Sequence, residues 1–337
     1  AIGPLSLAAE LTGGSVDSLN GRLYLLLPAN DYSTFAAGSY AGIGLHSLEG
    51  TMELWVDVVS GGIEGVRGTA DIGSLSAGLR EGKDAAISTL STRFFVRRQQ
   101  DAWEAWLQDM SFDWNGAHWR ESNLHARLQP DGIATAVADS FNVKVAVGLV
   151  SELGALDDAT IERLGEFNPR GELHNLALHY DAGQSATGEA ALPSMTLSAN
   201  VADGGMDARR GAPAVWGVDG YAEMSLDGSS RKISGMVEVD SSRFMIHLPD
   251  LFTDTWSYDQ VNGRVRFTLD FAHGTRLRLA SSVLTAESDV IDGRVQFATD
   301  YSSSDEGRAS TLELLVGGLN ADLAGKSLYL PTGPKVP

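Results

Sequence analysis

Apolar and polar residues alternate along two closely similar stretches of the chain, residues 261–271 and residues 291–301. Each stretch has an Asn-Gly or Asp-Gly pair near its start, typical of a tight turn, and then a run with apolar residues at every second position. Successive side chains of a strand point to opposite faces, so each run predicts a strand with one apolar and one polar face. The repetition predicts a sheet assembled from hairpins.

The same alternation covers most of the chain. The 38 glycines are spread between short runs rich in Val, Leu, Ile and Phe, a spacing that predicts frequent turns between strands. Residues 19–27 and 51–59 suggest a meander near the N-terminus, and residues 171–330 read as continuous β-structure broken near Pro249. We therefore expect a mainly β protein.

Helices are predicted at one position and remain an alternative at another. Residues 155–167 have Asp157 and Asp158 at their start and apolar residues at helical spacing, which favours a helix. Residues 99–110 fit either a short helix or an amphipathic strand. We place a division near residue 150, between an N-terminal β segment, residues 1–150, and a C-terminal β segment, residues 151–337, that begins with the helix.

Composition excludes several classes of function. The 337 residues contain 25 Lys and Arg against 44 Asp and Glu, and a formal charge of -19 disfavours nucleic acid as a partner. The chain has no cysteine, hence no disulfide, thiolate metal site or cysteine nucleophile. No stretch approaches the roughly 20 apolar residues that span a bilayer. The first residue is Ala1 and a predicted strand stands just before the last residues, so we expect a segment of a longer protein.

Residues 103–119 are the best candidates for catalysis. Trp103, Trp106, Trp114 and Trp119 are interspersed with acidic residues, a combination that could stack a sugar ring and supply paired carboxylates for glycoside hydrolysis. Tryptophans of β-rich proteins more often fill a core or a sheet face, which favours a structural role. The acidic residues in question are Glu104, Asp109 and Asp113. The 7 histidines lack the close pairing of zinc ligands, so no metal site is predicted.

The apolar face of the predicted sheet is the remaining candidate site. It is either packed under a second layer or left open as a groove that holds acyl chains, with each buried methylene contributing about 0.8 kcal/mol. The residues expected to line it are Val265, Phe267, Leu269, Phe271, Leu277, Leu279, Val295, Phe297, Leu312 and Leu314.

Several short stretches carry a resemblance to a known family. Each stretch is a weak signal alone, but the order and spacing of the stretches together are specific. Residues 1–150 match the family less distinctly. The stretches are residues 167–173, 246–252, 261–265, 292–297, 319–322 and 327–331. In them the chain resembles the AsmA-like envelope proteins of Gram-negative bacteria, and among them the YhdP type.

The resemblance implies a periplasmic protein, anchored in the inner membrane, whose groove-shaped sheet is similar to bridge-like lipid transfer proteins. Such a protein carries phospholipid toward the outer membrane and has neither catalytic residues nor a cofactor. We therefore expect an elongated, curved antiparallel sheet that forms one continuous apolar groove, with the helix at 155–167 capping or lining it. The alternatives are a carbohydrate-binding or glycoside-cleaving module and a purely structural scaffold.

Overall fold

The chain folds as a mainly antiparallel β protein with few short helices, as the alternation predicts. The structure is a computed structural model, and it describes most of the chain. Its described residues are 5–36, 38–40, 43–80, 83–130, 132–154, 158–182, 193–209, 213–249, 252–271, 275–289, 291–304 and 307–321. They fall into two compact units, Ala1–Ile161 and Glu162–Pro337.

The first unit contains long strands that follow one another in sequence. The strand β5 is 19 residues long, and β4 and β6 are 17 residues each. The elements are β1 (Ser6–Thr12), a 3-10 turn (Val16–Ser18), β2 (Asn20–Asp31), α1 (Ser33–Ala36), β3 (Gly38–Tyr40), β4 (Ile43–Val59), β5 (Gly62–Arg80), β6 (Lys83–Gln99), β7 (Ala102–Trp114), β8 (Ala117–Leu128), β9 (Ile133–Asn142) and α2 (Val143–Glu152).

The second unit is almost entirely strand. A further helix, α3 (Asp158–Phe167), precedes its first strand in sequence. The strands are β10 (Arg170–Asp181), β11 (Ser194–Met206), β12 (Ala214–Asp227), β13 (Lys232–His247), β14 (Trp256–Asp270), β15 (Thr275–Ser281), β16 (Leu284–Glu287), β17 (Ile291–Ser304) and β18 (Gly307–Ala321).

Neighbouring strands are joined by antiparallel ladders in both units. In the first unit the ladder runs from β1 through β2, β4 and onward to β9, with β3 paired to β4. In the second it runs from β10 to β14, continues through β15 and β16, which lie end to end between β14 and β17, and ends at β18. Directly opposite residues of such a ladder share a sheet face, so the register assigns every strand residue to a face.

Register shifts interrupt the ladders, and side chains of the next strand complete the hydrogen bonding there. Asp109 and Asp203 each have a positive φ, 51° and 50°, at a shift. The Asp109 N–H donates to Asn123 Oδ1 over 3.1 Å, and the Asp203 N–H donates to Asp219 Oδ1 over 2.9 Å. A bulge bends its strand and frees a backbone group, so these acceptors let long strands bend without an unpaired N–H.

One helix prediction is confirmed, the strand alternative holds at a second position, and a third element was not predicted. Residues 99–110 form no helix, because Ala102–Trp114 is strand β7 with its partners on both sides. The expected helix at 155–167 is α3, Asp158–Phe167, and residues 155–157 lie outside the described part. Helix α2 was missed, because Val143, Val145 and Val147 are residues typical of strands.

The hydroxyl of Ser241 stabilises a register shift of the second unit. Ser241 is fully buried, accepts from the Asp219 N–H over 2.8 Å and donates to the Asp219 carbonyl over 3.2 Å. We expect Ser241→Ala to lower the free energy of unfolding by about 1–3 kcal/mol, since a buried backbone group loses its partner. Urea unfolding measures this, with the exposed neighbour Ser242→Ala as control. Equal effects of the two variants would contradict the role of the hydroxyl.

The ionisation of Asp300 makes the stability of the second unit depend on pH. Hydrogen bonds from Arg276 (Nη2, 2.6 Å) and Arg278 (Nε, 3.0 Å) lower the pKa of Asp300 to about 2. A carboxyl group whose pKa is lower in the folded than in the unfolded protein stabilises the fold at pH values above its unfolded pKa. This stabilisation is lost as the pH falls through the folded pKa. We therefore expect Asp300→Asn to be less stable than wild type at neutral pH, with the difference shrinking below about pH 4.

Urea midpoints between neutral pH and about pH 3 test this difference. The exposed Asp289, changed to Asn, is the matched control for the loss of one surface carboxylate in the same unit. A difference between Asp300→Asn and wild type that stays constant over this range would show that the arginine contacts do not stabilise the fold.

Candidate functional site: an open apolar sheet face

The ladder of the second unit places the predicted lining residues of β14 and β15 on one face. Phe267 lies directly opposite Leu279, and Leu269 lies directly opposite Leu277. On its other side Phe267 faces Gly235, where an added Cβ would lie 2.5 Å from the Phe267 ring. The ring therefore fills the space above the glycine and stays on the same face.

Strands β17 and β18 continue this face. Thr299 lies opposite both Leu279 and Leu312, and Phe297 lies opposite Leu314, so Val295, two residues before Phe297, shares their face. Leu314 is 60% exposed, and the side chain of Leu312 is outside the described part. Phe271 follows the last residue of β14 and is 42% exposed, so the register does not assign it to the face.

The register also adds residues that the sequence did not assign to the site. The alternation in β10 to β13 was visible, but only the pairing shows that it is in phase with β14. Two apolar rows result, each crossing the strands of the unit. The first consists of Tyr180, Met195, Leu226, Ile233, Leu269, Leu277 and Tyr301, and the second of Leu178, Leu197, Met224, Gly235, Phe267 and Leu279, followed by Thr299.

This face of the second unit is open in the part that the structure describes. Each strand makes its extensive contacts with its ladder neighbours, and no helix or second sheet packs on the face. The buried apolar residues of the described part of this unit are few, whereas most residues of the two rows are half-buried. Those buried residues are Leu176, Ala199, Ala214 and Val261. A second layer, the alternative left open by the sequence, is absent from these described residues.

The first unit has an apolar face of the same kind. Val56, Val66, Val96, Ala105 and Ala126 lie opposite one another on successive strands. A neighbouring row on the same face consists of Leu7, Leu25, Leu54, Gly68, Phe94, Leu107, Leu124 and Ala138.

The two ends of the strands differ in how far this face is covered. At the β4–β5, β6–β7 and β8–β9 turns, Ile63, Trp103 and Leu128 are 55%, 41% and 54% exposed. Toward the opposite strand ends, helix α2 lies on the face and creates the main core of the unit. That core contains Ala85, Phe112, Trp119, Val145, Ala146 and Leu149.

Helix α2 is held at both of its ends. Asn142 caps its first turn by accepting from the Val145 N–H over 3.0 Å. At its C-terminus Glu152 accepts from Trp114 Nε1 over 2.7 Å and from Asn115 Nδ2 over 2.9 Å. A methyl group at Gly148 would overlap the Trp114 ring, so this glycine allows the close approach of helix and sheet.

An ion pair and a stack of rings lie on the faces opposite the apolar rows. In the second unit Arg264 binds Glu238 over 2.9 Å, on the face opposite Val265. In the first unit the rings of Phe95, Trp106 and His125 stack across three strands, with centroids 5.2 Å and 4.7 Å apart. These cross-strand contacts stabilise the sheet without using the apolar face.

The tryptophans near residue 110 do not form one site. Trp103 lies on the apolar face and Trp106 on the opposite one, while Trp114 and Trp119 pack beneath α2. The neighbouring carboxylates have separate partners. Glu104 binds Arg97 over 2.8 Å, Asp109 binds Arg93, and hydrogen bonds from Thr89 and then His118 lower the pKa of Asp113. The arrangement gives no support to paired catalytic carboxylates.

The described residues contain no group of three or more metal-ligating side chains and no helix long and apolar enough to cross a membrane. A search of the curated proteins and a search of the solved structures each found no match. A family model described as YhdP protein matches residues 1–335, nearly the whole chain. The chain therefore belongs to the YhdP family.

Proposed function

We propose that the apolar faces bind the acyl chains of phospholipids, and that the protein carries these lipids across the periplasm without catalysing a reaction. The observation that carries this proposal is the open face of the second unit, where apolar residues lie opposite one another from β10 to β18. A contiguous exposed apolar surface of this kind marks a binding site.

The chemistry of the face suits acyl chains. Each methylene that leaves water on binding contributes about 0.8 kcal/mol, so a chain that lies along a row is held without any polar contact. Within a row the apolar residues recur at successive strands, about 4.8 Å apart, so a lipid that shifts by one strand exchanges one set of apolar contacts for a similar one. Movement across the strands therefore meets small barriers.

Headgroups are expected to remain in water. Charged residues of the strands that carry the rows, such as Arg276 and Asp300, lie on the opposite face, where they bind one another. A lipid held mainly through its acyl chains is selected weakly by its headgroup. No cofactor takes part in such binding.

Membership of the YhdP family supports transport toward the outer membrane. In this proposal the full-length protein is anchored in the inner membrane, and parts outside this chain contact the inner and outer membranes. The lining would comprise the predicted residues on β14, β15, β17 and β18, and the additional apolar residues of β10 to β13.

A charge on the apolar face should block lipid binding. We expect Phe267→Glu to weaken binding of a fluorescent phosphatidylethanolamine at least about tenfold, because a buried, unpaired carboxylate is costly. Thr268→Glu is the matched control, since the adjacent residue on the strand points to the opposite face. Equilibrium titration of the purified protein measures both affinities.

Urea unfolding of the same variants separates loss of binding from loss of fold. We expect both variants to unfold cooperatively, with only Phe267→Glu impaired in binding. Wild-type affinity in a folded Phe267→Glu protein would show that this row is not the lipid site, and equal loss in both variants would show that the binding site is not confined to one face.

A further inference from the structure

Helix α2 occupies the same kind of surface that we propose for acyl chains. Val145, Ala146 and Leu149 are buried, 5%, 6% and 9% exposed, against strand residues such as Phe112 and Trp119. We propose that α2 is a displaceable cover, which lies on the acyl-chain path of the first unit and is lifted when lipid takes its place. This inference rests on the proposed function.

The strands beneath α2 continue the open face, and the buried hydroxyls of Thr92 and Ser122 that lie between have hydrogen-bond partners within the protein. The opposed pair Ile72 and Leu90 is followed, across the register shifts, by Leu75 opposite Ile87 and then Ala77 opposite Ala85. Ala85, Ile87 and Leu90 all contact the α2 core. Displacement of the helix would therefore lengthen the apolar face, so an acyl chain and α2 compete for one surface.

The attachment of α2 is suited to such a movement. The helix follows β9 directly at Asn142, and its C-terminal side ends at Gly154, which has a φ of 75°. Backbone rotation near Asn142 and Gly154 would let the helix swing away from the sheet.

Two hydrogen bonds of Glu152, which we call the latch, hold the C-terminal end of α2 against the sheet. The carboxylate of Glu152 accepts hydrogen bonds from Trp114 and Asn115, both of which lie at the β7–β8 turn. The latch stabilises the covered state and contributes nothing to a state in which the helix has moved away. Its removal should therefore raise the population that can bind lipid.

The absence of cysteine permits a clean optical test. A bimane dye is attached to Ser151→Cys, next to Glu152, which binds Trp114. We expect Trp114 to quench the dye while α2 lies on the sheet. The probe lipid is dihexanoylphosphatidylcholine below its micelle concentration, and calorimetry on the same sample measures its binding. We expect the fluorescence to rise with lipid and to saturate in parallel with the calorimetric signal.

Variants test the latch itself. Glu152→Ala should lower the lipid concentration for half-maximal fluorescence by about fivefold, as expected for loss of about one net hydrogen bond. Glu162→Ala, at an exposed position of α3, is the matched control and should leave it unchanged. Trp114→Phe defines the unquenched signal.

Three results would overturn the inference, and they differ in what they leave standing. Calorimetric binding with constant bimane fluorescence would mean that α2 is a fixed part of the core, while the proposed function stands. An unchanged midpoint in Glu152→Ala would show that the hydrogen bonds of Glu152 do not control lipid binding. It would thereby exclude α2 as a displaceable cover. No binding by calorimetry would remove the proposed function together with the inference.

Discussion

The register of the antiparallel ladders is the constraint on which the site depends. Residues directly opposite each other share a face, so one apolar row stays in phase from strand to strand only while the pairing is kept. A slip of one residue would move Phe267 and Leu269 to the polar face and bring Arg266 and Thr268 to the apolar one. Side-chain acceptors such as Asp219 and Ser241 complete the hydrogen bonding where the register shifts, which preserves the phase.

An apolar face that remains open forgoes the free energy of burial, and other contacts have to compensate for this loss. Part of the compensation comes from the other face, where cross-strand ion pairs and stacked rings stabilise the sheet. Part comes from the core under α2, where Phe112 and Trp119 pack with Leu149. The first unit thus covers a section of its apolar face with its own helix, whereas the described residues of the second unit leave theirs to solvent or ligand.

The sequence was informative where alternation is strict and misleading where it is not. In β14 and β17 the period of two predicted the facing of Val265 and Phe297, because a strand exposed on one side imposes that period. The phase between strands could not be predicted, since it depends on hydrogen bonds between distant residues. Helix α2 was missed because its valines favour strands, although Asn142 supplies a cap signal.

Photo-crosslinking along β14 tests the central claim most directly. A photoreactive residue is placed in turn at each position from 264 to 270 in the full-length protein within the bacterial envelope, and attached phospholipid is measured. The account predicts attachment at Val265, Phe267 and Leu269 and none at the positions between them, whose side chains lie on the opposite face. Attachment at all positions alike, or at none, would contradict an acyl-chain path along this face.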